Sequence, residues 1–439
     1  MENTIRVTYR YLRVPLLLLL SLACLRFGVI PGWKQVNSDF PNYYVSAQLL
    51  QKGILHEAYD IEKFNSHIHE INSNADGMFV MYPPTTALIM QAFTGFDMLT
   101  AKRIWVVLTV GMLVLIIILF AKITNIALVD AGNLLLLCGF NLFNDIMLGQ
   151  VYTMMLLLLV VAHLAWSRQS WITAGVCWGV VAALKFLPLF FLPLLLYKKQ
   201  FRLVGYMIIT FCFIHFITYL VSGEEVYRSF FAAFIQNYVR GEVAGEIPLS
   251  IQYQSMQVIV NRLMLQGNIT ASIGTIISLL WKLTWLLIAV YLCFRVRNQK
   301  YFFEVAYSSI ILLLLLFENG SATYHLLFTV PIWFTVYKLH ISEVGKGFML
   351  LAFICMGFIP FLVHVAQLHT FITDYSRLWC LCLFAACYFY VVIRYHQSGG
   401  GGIHHSPFTI HNSQFPIHNS QFAIHNSQFI FSPSTLPNL

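Results

Sequence analysis

Charged residues are scarce in this chain of 439 residues. Asp, Glu, Lys and Arg together make up 10% of the sequence, whereas hydrophobic residues make up 59%. This balance excludes an ordinary soluble globular domain, which carries about 25% charged residues. It is typical of a polytopic membrane protein, in which long apolar segments are joined by short polar loops.

The sequence also lacks a cleavable signal peptide and a disulfide framework. The first apolar segment, at residues 11–30, has the length of a membrane span and is too long for a signal-peptide core. All nine cysteines lie inside or at the edge of apolar segments, so we expect them to pack in the protein core. The formal charge of +8 comes from Lys and Arg in short loops, where they orient spans, and does not imply nucleic acid.

The apolar runs and the basic loops fit one topology of about twelve transmembrane helices with both termini in the cytoplasm. Two long loops, at residues 31–103 and 223–270, then lie together on the extracytoplasmic side. We interpret the apolar segments 78–93 and 226–239 within them as interfacial or re-entrant helices, because they are too short to span securely. The predicted spans are near residues 11–30, 104–120, 132–148, 150–166, 172–184, 187–198, 203–222, 271–294, 304–317, 324–338, 347–366 and 378–395.

The chain divides into a cytoplasmic N-terminus (1–10), a transmembrane domain (11–395) and a tail (396–439). The tail repeats Ile-His-Asn-Ser-Gln-Phe at residues 410–415, 417–422 and 424–429. Such near-identical units indicate translated repetitive DNA, and we expect the tail to be disordered and dispensable for activity.

Two polar residues near the membrane boundary suggest chemistry. Asp39 follows the first span, and a carboxylate there can act as a general base, although a helix cap or a solvated loop residue is the alternative. Lys185 stands before Pro188, which breaks a helix, and is either a snorkelling lysine or a cation for a lipid phosphate. Polar residues at other outer span ends predict a water-accessible cavity. They include Asn144, Asp145, Gln150, Gln254, Arg262, Glu318, Asn319, Tyr324 and His325.

Short motifs occur in a defined order between about residues 10 and 395. They are Ser38-Asp39-Phe40, Tyr43-Tyr44, Tyr59-Asp60, Tyr82-Pro83-Pro84, Ala101 to Trp105, Gly149-Gln150-Val151-Tyr152, Ala174-Gly175, Ala183-Leu184-Lys185-Phe186-Leu187-Pro188, Gln254-Ser255-Met256, Arg262-Leu263 and His325. This order resembles glycosyltransferase family 87, whose members have the GT-C fold. The chain departs from the family pattern at Tyr253, where an asparagine is common.

The resemblance implies a hexosyltransferase of the plasma (inner) membrane with an extracytoplasmic active site. The enzyme would move a hexose, usually mannose, from a polyprenyl-phosphate sugar to a lipid or glycan acceptor, inverting the anomeric centre without a metal or other cofactor. Asp39 would be the general base, and Lys185 with Arg262 would meet the leaving phosphate. Further candidates for substrate contacts are His325, Tyr82, Gln150 and Gln254. His325 could also orient Asp39 or be a buried structural histidine.

Two other classes of membrane protein compete with this interpretation. A transporter or lipid flippase also has many spans and a polar cavity, but transporters commonly show paired internal repeats, and the two halves of this sequence show no such symmetry. An oligosaccharide polymerase or ligase also uses lipid-linked sugar, but lacks this arrangement of Asp39 and Tyr-Pro-Pro.

Overall fold

The computed structural model describes residues 2–36, 39–73, 75–79, 82–236, 253–339, 341–368 and 370–397. The structure is 82% helical, and the described residues form no β-strand. The predicted all-α class is therefore confirmed. The repeat tail lies outside the described residues, as does the middle of the second long loop, residues 237–252.

The α-helices follow one another along the whole described chain. They are α1 (Glu2–Cys24), α2 (Ile30–Lys34), α3 (Phe40–Gln51), α4 (Ile61–Ile71), α5 (Pro84–Met90), α6 (Met98–Thr124), α7 (Leu128–Leu136), α8 (Phe140–Leu148), α9 (Tyr152–Ser167), α10 (Trp171–Leu184), α11 (Leu192–Tyr197), α12 (Phe201–Ser222), α13 (Glu224–Phe234), α14 (Met256–Leu265), α15 (Ala271–Val296), α16 (Phe302–Phe317), α17 (Ile332–Lys338), α18 (Glu343–Val365), α19 (Phe371–Asp374) and α20 (Ser376–Gln397). A π-helical turn at Leu25–Val29 joins α1 to α2, and 3₁₀ turns lie at Leu55–Tyr59, Gln91–Phe93, Leu187–Phe191 and Thr323–Thr329.

Six helices in the described part of the chain are long and apolar enough to cross a membrane. They are Tyr11–Lys34, Met98–Thr124, Phe201–Ser222, Ala271–Val296, Glu343–Val365 and Ser376–Gln397. A multi-pass membrane protein is thus supported, but the predicted count of about twelve spans is not. Five other predicted spans fall on helices of 16 residues or fewer, namely α9, α10, Leu187–Tyr197, α16 and α17. A full crossing takes about 20 residues. Hydropathy responds to apolar surface of any kind, and much of α9, α10 and α16 is buried against neighbouring helices.

The predicted span at 132–148 is a broken one. Helices α7 and α8 meet at an angle of 76° around Gly139. Gly139 has φ +57° and ψ −129°, a conformation that is essentially restricted to glycine. A Cβ at this position would also lie 2.6 Å from the carbonyl oxygen of Gly357 on α18. The break lets α8 turn Asn141 and Asn144 toward the cavity described below.

Helix α10 is held closely against α12 by two glycines one turn apart. A Cβ at Gly175 would lie 2.6 Å from the Tyr206 side chain, and a Cβ at Gly179 would lie 2.6 Å from Thr210. Small residues at a spacing of four let helix backbones approach in this way. The helix ends at Leu184, and Pro188 follows in a 3₁₀ turn, so Lys185 stands at the predicted break.

The first long loop is itself folded into short helices. Helix α5 begins at Pro84, directly after Pro83, and has only seven residues. The 78–93 segment is therefore too short to cross a bilayer. Tyr59 packs on Phe79 and on Phe230 of α13, with ring centroids 5.6 and 5.7 Å apart. The two long loops therefore touch through aromatic side chains.

Candidate active site

A cavity of about 650 Å³ opens beside Asp39. Its polar wall includes Asn141 and Asn144 of α8, Tyr324 of the Thr323–Thr329 turn, and Arg377 of α20. Another part of the wall is apolar and includes Phe27, Phe140 and Phe361. The cavity therefore combines hydrogen-bonding groups with an apolar surface, a combination that suits an amphipathic ligand.

Asp39 stands at the N-terminus of α3 but makes no capping hydrogen bond. Its carboxylate instead accepts hydrogen bonds from the Gln150 side-chain amide and from Tyr324. The helix-cap alternative therefore does not apply. Withdrawal from water raises the pKa of the Asp39 carboxyl above its ordinary value, and these hydrogen bonds and the charge of Lys102 offset only part of that increase.

Gln150 connects Asp39 to two tyrosines. Its Oε1 accepts hydrogen bonds from the hydroxyls of Tyr43 and Tyr82, the latter at 3.4 Å. The ring of Tyr82 packs edge-on against Tyr43 at 5.0 Å. Gln150 is completely buried, and its side-chain amide is engaged inside the protein. This position favours orientation of Asp39 over direct contact with a sugar, whereas Tyr82 is partly exposed.

Lys185 belongs to a second polar cluster with His325 and Glu318. Its Nζ donates to the hydroxyl of Tyr152 and lies 3.3 Å from both Glu318 Oε1 and His325 Nε2. The Nδ1 of His325 lies 2.6 Å from the other Glu318 oxygen, so it donates there while Nε2 accepts from Lys185. Lys185 is therefore engaged in this cluster and does not extend freely into the head-group region.

The charge state of Glu318 follows from these contacts. Burial by itself raises the Glu318 pKa, but interactions with His325 and Lys185 outweigh it and hold the pKa below its ordinary value. Glu318 is therefore ionised at neutral pH and partly neutralises Lys185.

Tyr324 joins the two clusters into one site. Its hydroxyl reaches Asp39, and its ring lies 4.8 Å from the ring of Tyr152 and 5.1 Å from that of His325. Tyr152 in turn accepts the hydrogen bond from Lys185. The structure thus brings together five of the predicted site residues, namely Asp39, Tyr82, Gln150, Lys185 and His325.

Arg262 is not part of this group. Its guanidinium lies 3.5 Å from Asp374 and contacts Tyr375, and it lines a smaller recess of about 290 Å³ that shares Asp374 with the wall of the large cavity. The described contacts of Arg262 are with Asp374 and Tyr375, and its pairing with Lys185 around a phosphate stays a prediction. The sequence could not reveal this, because the direction of a side chain on α14 depends on how that helix docks.

Arg377 is the cation that the sequence interpretation missed. It lines the large cavity, is 6% exposed, and donates from Nη1 to the Ser321 carbonyl at 2.9 Å. Its backbone N–H donates to Gln254 Oε1 at 2.7 Å, so Gln254 helps to fix the start of α20. His325 is within electrostatic range of both Arg377 and Lys185. The only signal in the sequence was an arginine at the outer end of the last apolar run.

The chain matches the model of a known protein family. The model of glycosyltransferase family 87 matches residues 79–318, which contain Tyr82, Gln150, Lys185, Gln254 and Arg262. No curated protein matches the chain. The family match supports a membrane glycosyltransferase and does not favour the transporter alternative. Because the match covers more than half of the chain, this protein belongs to glycosyltransferase family 87.

Proposed function

We propose that the protein transfers a hexose, which we take to be mannose, from a polyprenyl-phosphate sugar to a hydroxyl of a lipid or glycan acceptor. The reaction would take place in a GT-C fold, on the extracytoplasmic face of the plasma membrane. The observation that carries this proposal is the Asp39 carboxylate, held by Gln150 and Tyr324 beside a cavity that also presents Arg377.

In the proposed reaction Asp39 acts as the general base. The acceptor hydroxyl oxygen attacks the anomeric carbon, and its proton passes to Asp39 as the bond from that carbon to the phosphate oxygen breaks. One displacement inverts the anomeric centre, so a β-linked donor gives an α-mannoside. The raised pKa of Asp39 suits this role, because a stronger base takes the proton more readily.

The leaving group needs positive charge. Polyprenyl phosphate departs as an anion, and fixed cations that meet this charge lower the barrier. We assign this role to Lys185, which contacts His325, and to Arg377, which is within electrostatic range of His325, in place of the predicted pair of Lys185 and Arg262. His325 lies 3.3 Å from Lys185 Nζ and donates to Glu318, a position suited to contact with the phosphate or the sugar.

The amphipathic cavity suits the substrates of such a reaction. Asn141 and Asn144 present amide groups that can bind sugar hydroxyls, and Phe27 with Phe361 presents apolar surface for a lipid chain. Tyr82 and Gln254 remain candidates for sugar contacts. Tyr253, which stands where the family commonly has asparagine, also lines the cavity.

The test is sugar transfer in membranes that contain the chain. Radiolabelled polyprenyl-phosphate mannose is supplied with a native lipid extract as acceptor, and wild type is compared with Asp39→Asn. We expect labelled product from wild type only, sensitive to an α-mannosidase. Asp76→Asn is the matched control, because Asp76 belongs to the same long loop and its side chain is 83% exposed. This variant should transfer as well as wild type.

Each component of the proposal has its own contrary result. Equal product from Asp39→Asn at equal protein level would remove Asp39 from catalysis. A product resistant to α-mannosidase but sensitive to β-mannosidase would contradict inversion from a β-linked donor. Transfer from polyprenyl-phosphate glucose at the greater rate would replace mannose as the donor sugar.

The sidedness can be tested separately. Lys63 lies on the first long loop, in α4, so a cysteine placed there should react with a membrane-impermeant maleimide in intact cells. Labelling only after the cells are opened would place this loop in the cytoplasm and overturn the extracytoplasmic assignment.

A further inference from the structure

Asp145 is a buried carboxylate for which the proposed reaction has no direct use. It lies on α8, is completely buried, and does not line the large cavity. Burying a carboxylate is costly unless hydrogen bonds compensate for the lost water. Its contacts therefore indicate what its place in the fold accomplishes.

The hydrogen bonds of Asp145 reach the turn between α8 and α9 and the first turn of α9. Asp145 Oδ2 accepts from the hydroxyl of Thr153 at 2.5 Å and from the Thr153 backbone N–H at 3.3 Å. The backbone carbonyl of Asp145 accepts from the N–H of Gln150 at 2.9 Å. Asp145 thus binds both the middle of the turn, at Gln150, and the first turn of α9, at Thr153. The other carboxyl oxygen, Oδ1, is buried with no hydrogen-bond partner among the described residues, so the contacts with Thr153 are the hydrogen bonds that hold the side chain.

The turn carries partners of both clusters in the site. Gln150 donates to Asp39, and Tyr152 accepts from Lys185. Gly149 precedes them at φ +72°, and a Cβ there would lie 3.0 Å from Phe40, the residue after Asp39. A shift of this turn would therefore move the hydrogen-bond partners of Asp39 and Lys185 together.

We propose that Asp145 is a positioning residue that fixes the α8–α9 turn, so that Gln150 and Tyr152 stay aligned with Asp39 and Lys185. The inference rests on the proposed role of Asp39 as general base. Asp145 touches neither substrate nor reacting atoms and acts through Gln150 and Tyr152.

The test measures kinetics of the purified full-length chain with polyprenyl-phosphate mannose as donor. Asp145→Leu removes the acceptor oxygens at similar volume, and we expect kcat to fall about 10- to 100-fold with little change in the KM for the donor. Asp145→Asn keeps one acceptor oxygen for Thr153 and should recover most of the activity. Thr153→Val, which removes only the donated hydroxyl, should lower kcat by a smaller factor in the same direction.

A pH profile separates positioning from a general loss of structure. Gln150 stabilises the charged form of Asp39, so loosening the turn should move the acid limb of kcat to higher pH in Asp145→Leu. The other groups that face Asp39 are unchanged in this variant; they are Lys102, Tyr43, Tyr82, Tyr253 and Tyr324. Asn133→Leu is the control, since Asn133 is a buried polar residue of α7 that bonds the Arg13 carbonyl away from the site. It should leave the acid limb in place.

A double-mutant cycle with Gln150→Leu completes the test. If Asp145 acts through Gln150, the double variant should lose far less than the product of the two single effects. An unmoved acid limb in Asp145→Leu, or effects that simply multiply, would overturn the inference. Asp39→Asn is assayed alongside. No transfer by wild type would refute the proposed function, and full activity in Asp39→Asn would refute the role of Asp39 as general base. An inactive Asp39→Asn with an unmoved Asp145→Leu profile would refute only the positioning role.

Discussion

Replacing Arg377 or Arg262 by glutamine distinguishes the structural assignment of the phosphate-binding cation from the assignment made by sequence. Arg377 lines the cavity beside Asp39, whereas Arg262 lines the adjoining smaller recess and is bound to Asp374. A hydrogen bond to a charged group contributes about 1.5–3 kcal/mol. Because about 1.4 kcal/mol corresponds to a factor of ten, Arg377→Gln should weaken donor binding by about 10- to 150-fold. Arg262→Gln should change it by less than about threefold, as expected for a partly exposed ion pair.

The assay uses purified protein in lipid nanodiscs. Donor affinity is measured by inhibition of transfer with polyprenyl phosphate, which carries the anionic group but no sugar, and kcat is measured at saturating donor. Arg228→Gln is the matched control, because Arg228 is an arginine of the second long loop whose side chain is 78% exposed. Thermal unfolding of each variant checks that the fold is retained.

One pattern would refute this reasoning. If Arg262→Gln weakened inhibition by polyprenyl phosphate more than Arg377→Gln did, with both variants folded, the phosphate would lie at the recess beside α14. The large cavity would then hold only the acceptor, and the predicted pairing of Lys185 with Arg262 would require a rearrangement that breaks the contact with Asp374.

Three further predictions address the base, the fold and the tail. Asp39 must be ionised to accept a proton, and its pKa is raised. We therefore expect kcat to fall with decreasing pH through a midpoint above about 4, the ordinary carboxyl pKa. A midpoint at or below about 4 in a pH–rate profile would contradict this. Gly139→Ala should lower the free energy of unfolding, measured by thermal or denaturant unfolding, by at least about 2 kcal/mol. Gly111→Ala is the control and should not lower it, because a Cβ at Gly111 meets open space. Equal stability of the two variants would show that the bend between α7 and α8 is not constrained as described. Deletion of residues 398–439 should leave transfer unchanged at equal protein level, and a loss of activity would give the repeat tail a role.

Hydropathy predicted the long spans correctly but did not separate them from short apolar helices. Hydropathy identified α6, α12, α15, α18 and α20 because each is a long apolar helix of at least 22 residues. It also predicted spans at α9, α10 and α16, which are equally apolar but have only 14 to 16 residues. A one-dimensional scale does not separate apolar surface that faces lipid from apolar surface that packs on another helix. The count of about twelve was therefore not supported.

The candidate site shows the same division. Asp39 and Lys185 could be selected from the sequence, because a carboxylate after a span and a lysine before a helix-breaking proline are local patterns, and the family to which the motifs pointed is confirmed. Arg377 and Asp145 could not be assigned in this way. Arg377 bonds to Ser321, which is 56 positions away in the sequence, and Asp145 bonds to Thr153 only once the α8–α9 turn has formed.

The sequence by itself determined the membrane class, the family and the residues that could carry charge near the membrane boundary, because these depend on composition and on short motifs. The tertiary structure decided which of those residues meet. Gln150 reaches Asp39 across 111 positions, His325 reaches Lys185 across 140, and Arg262 faces Asp374 across 112. These contacts depend on how broken and short helices pack around the cavity, and packing is a property of side-chain shapes in three dimensions that no local pattern encodes.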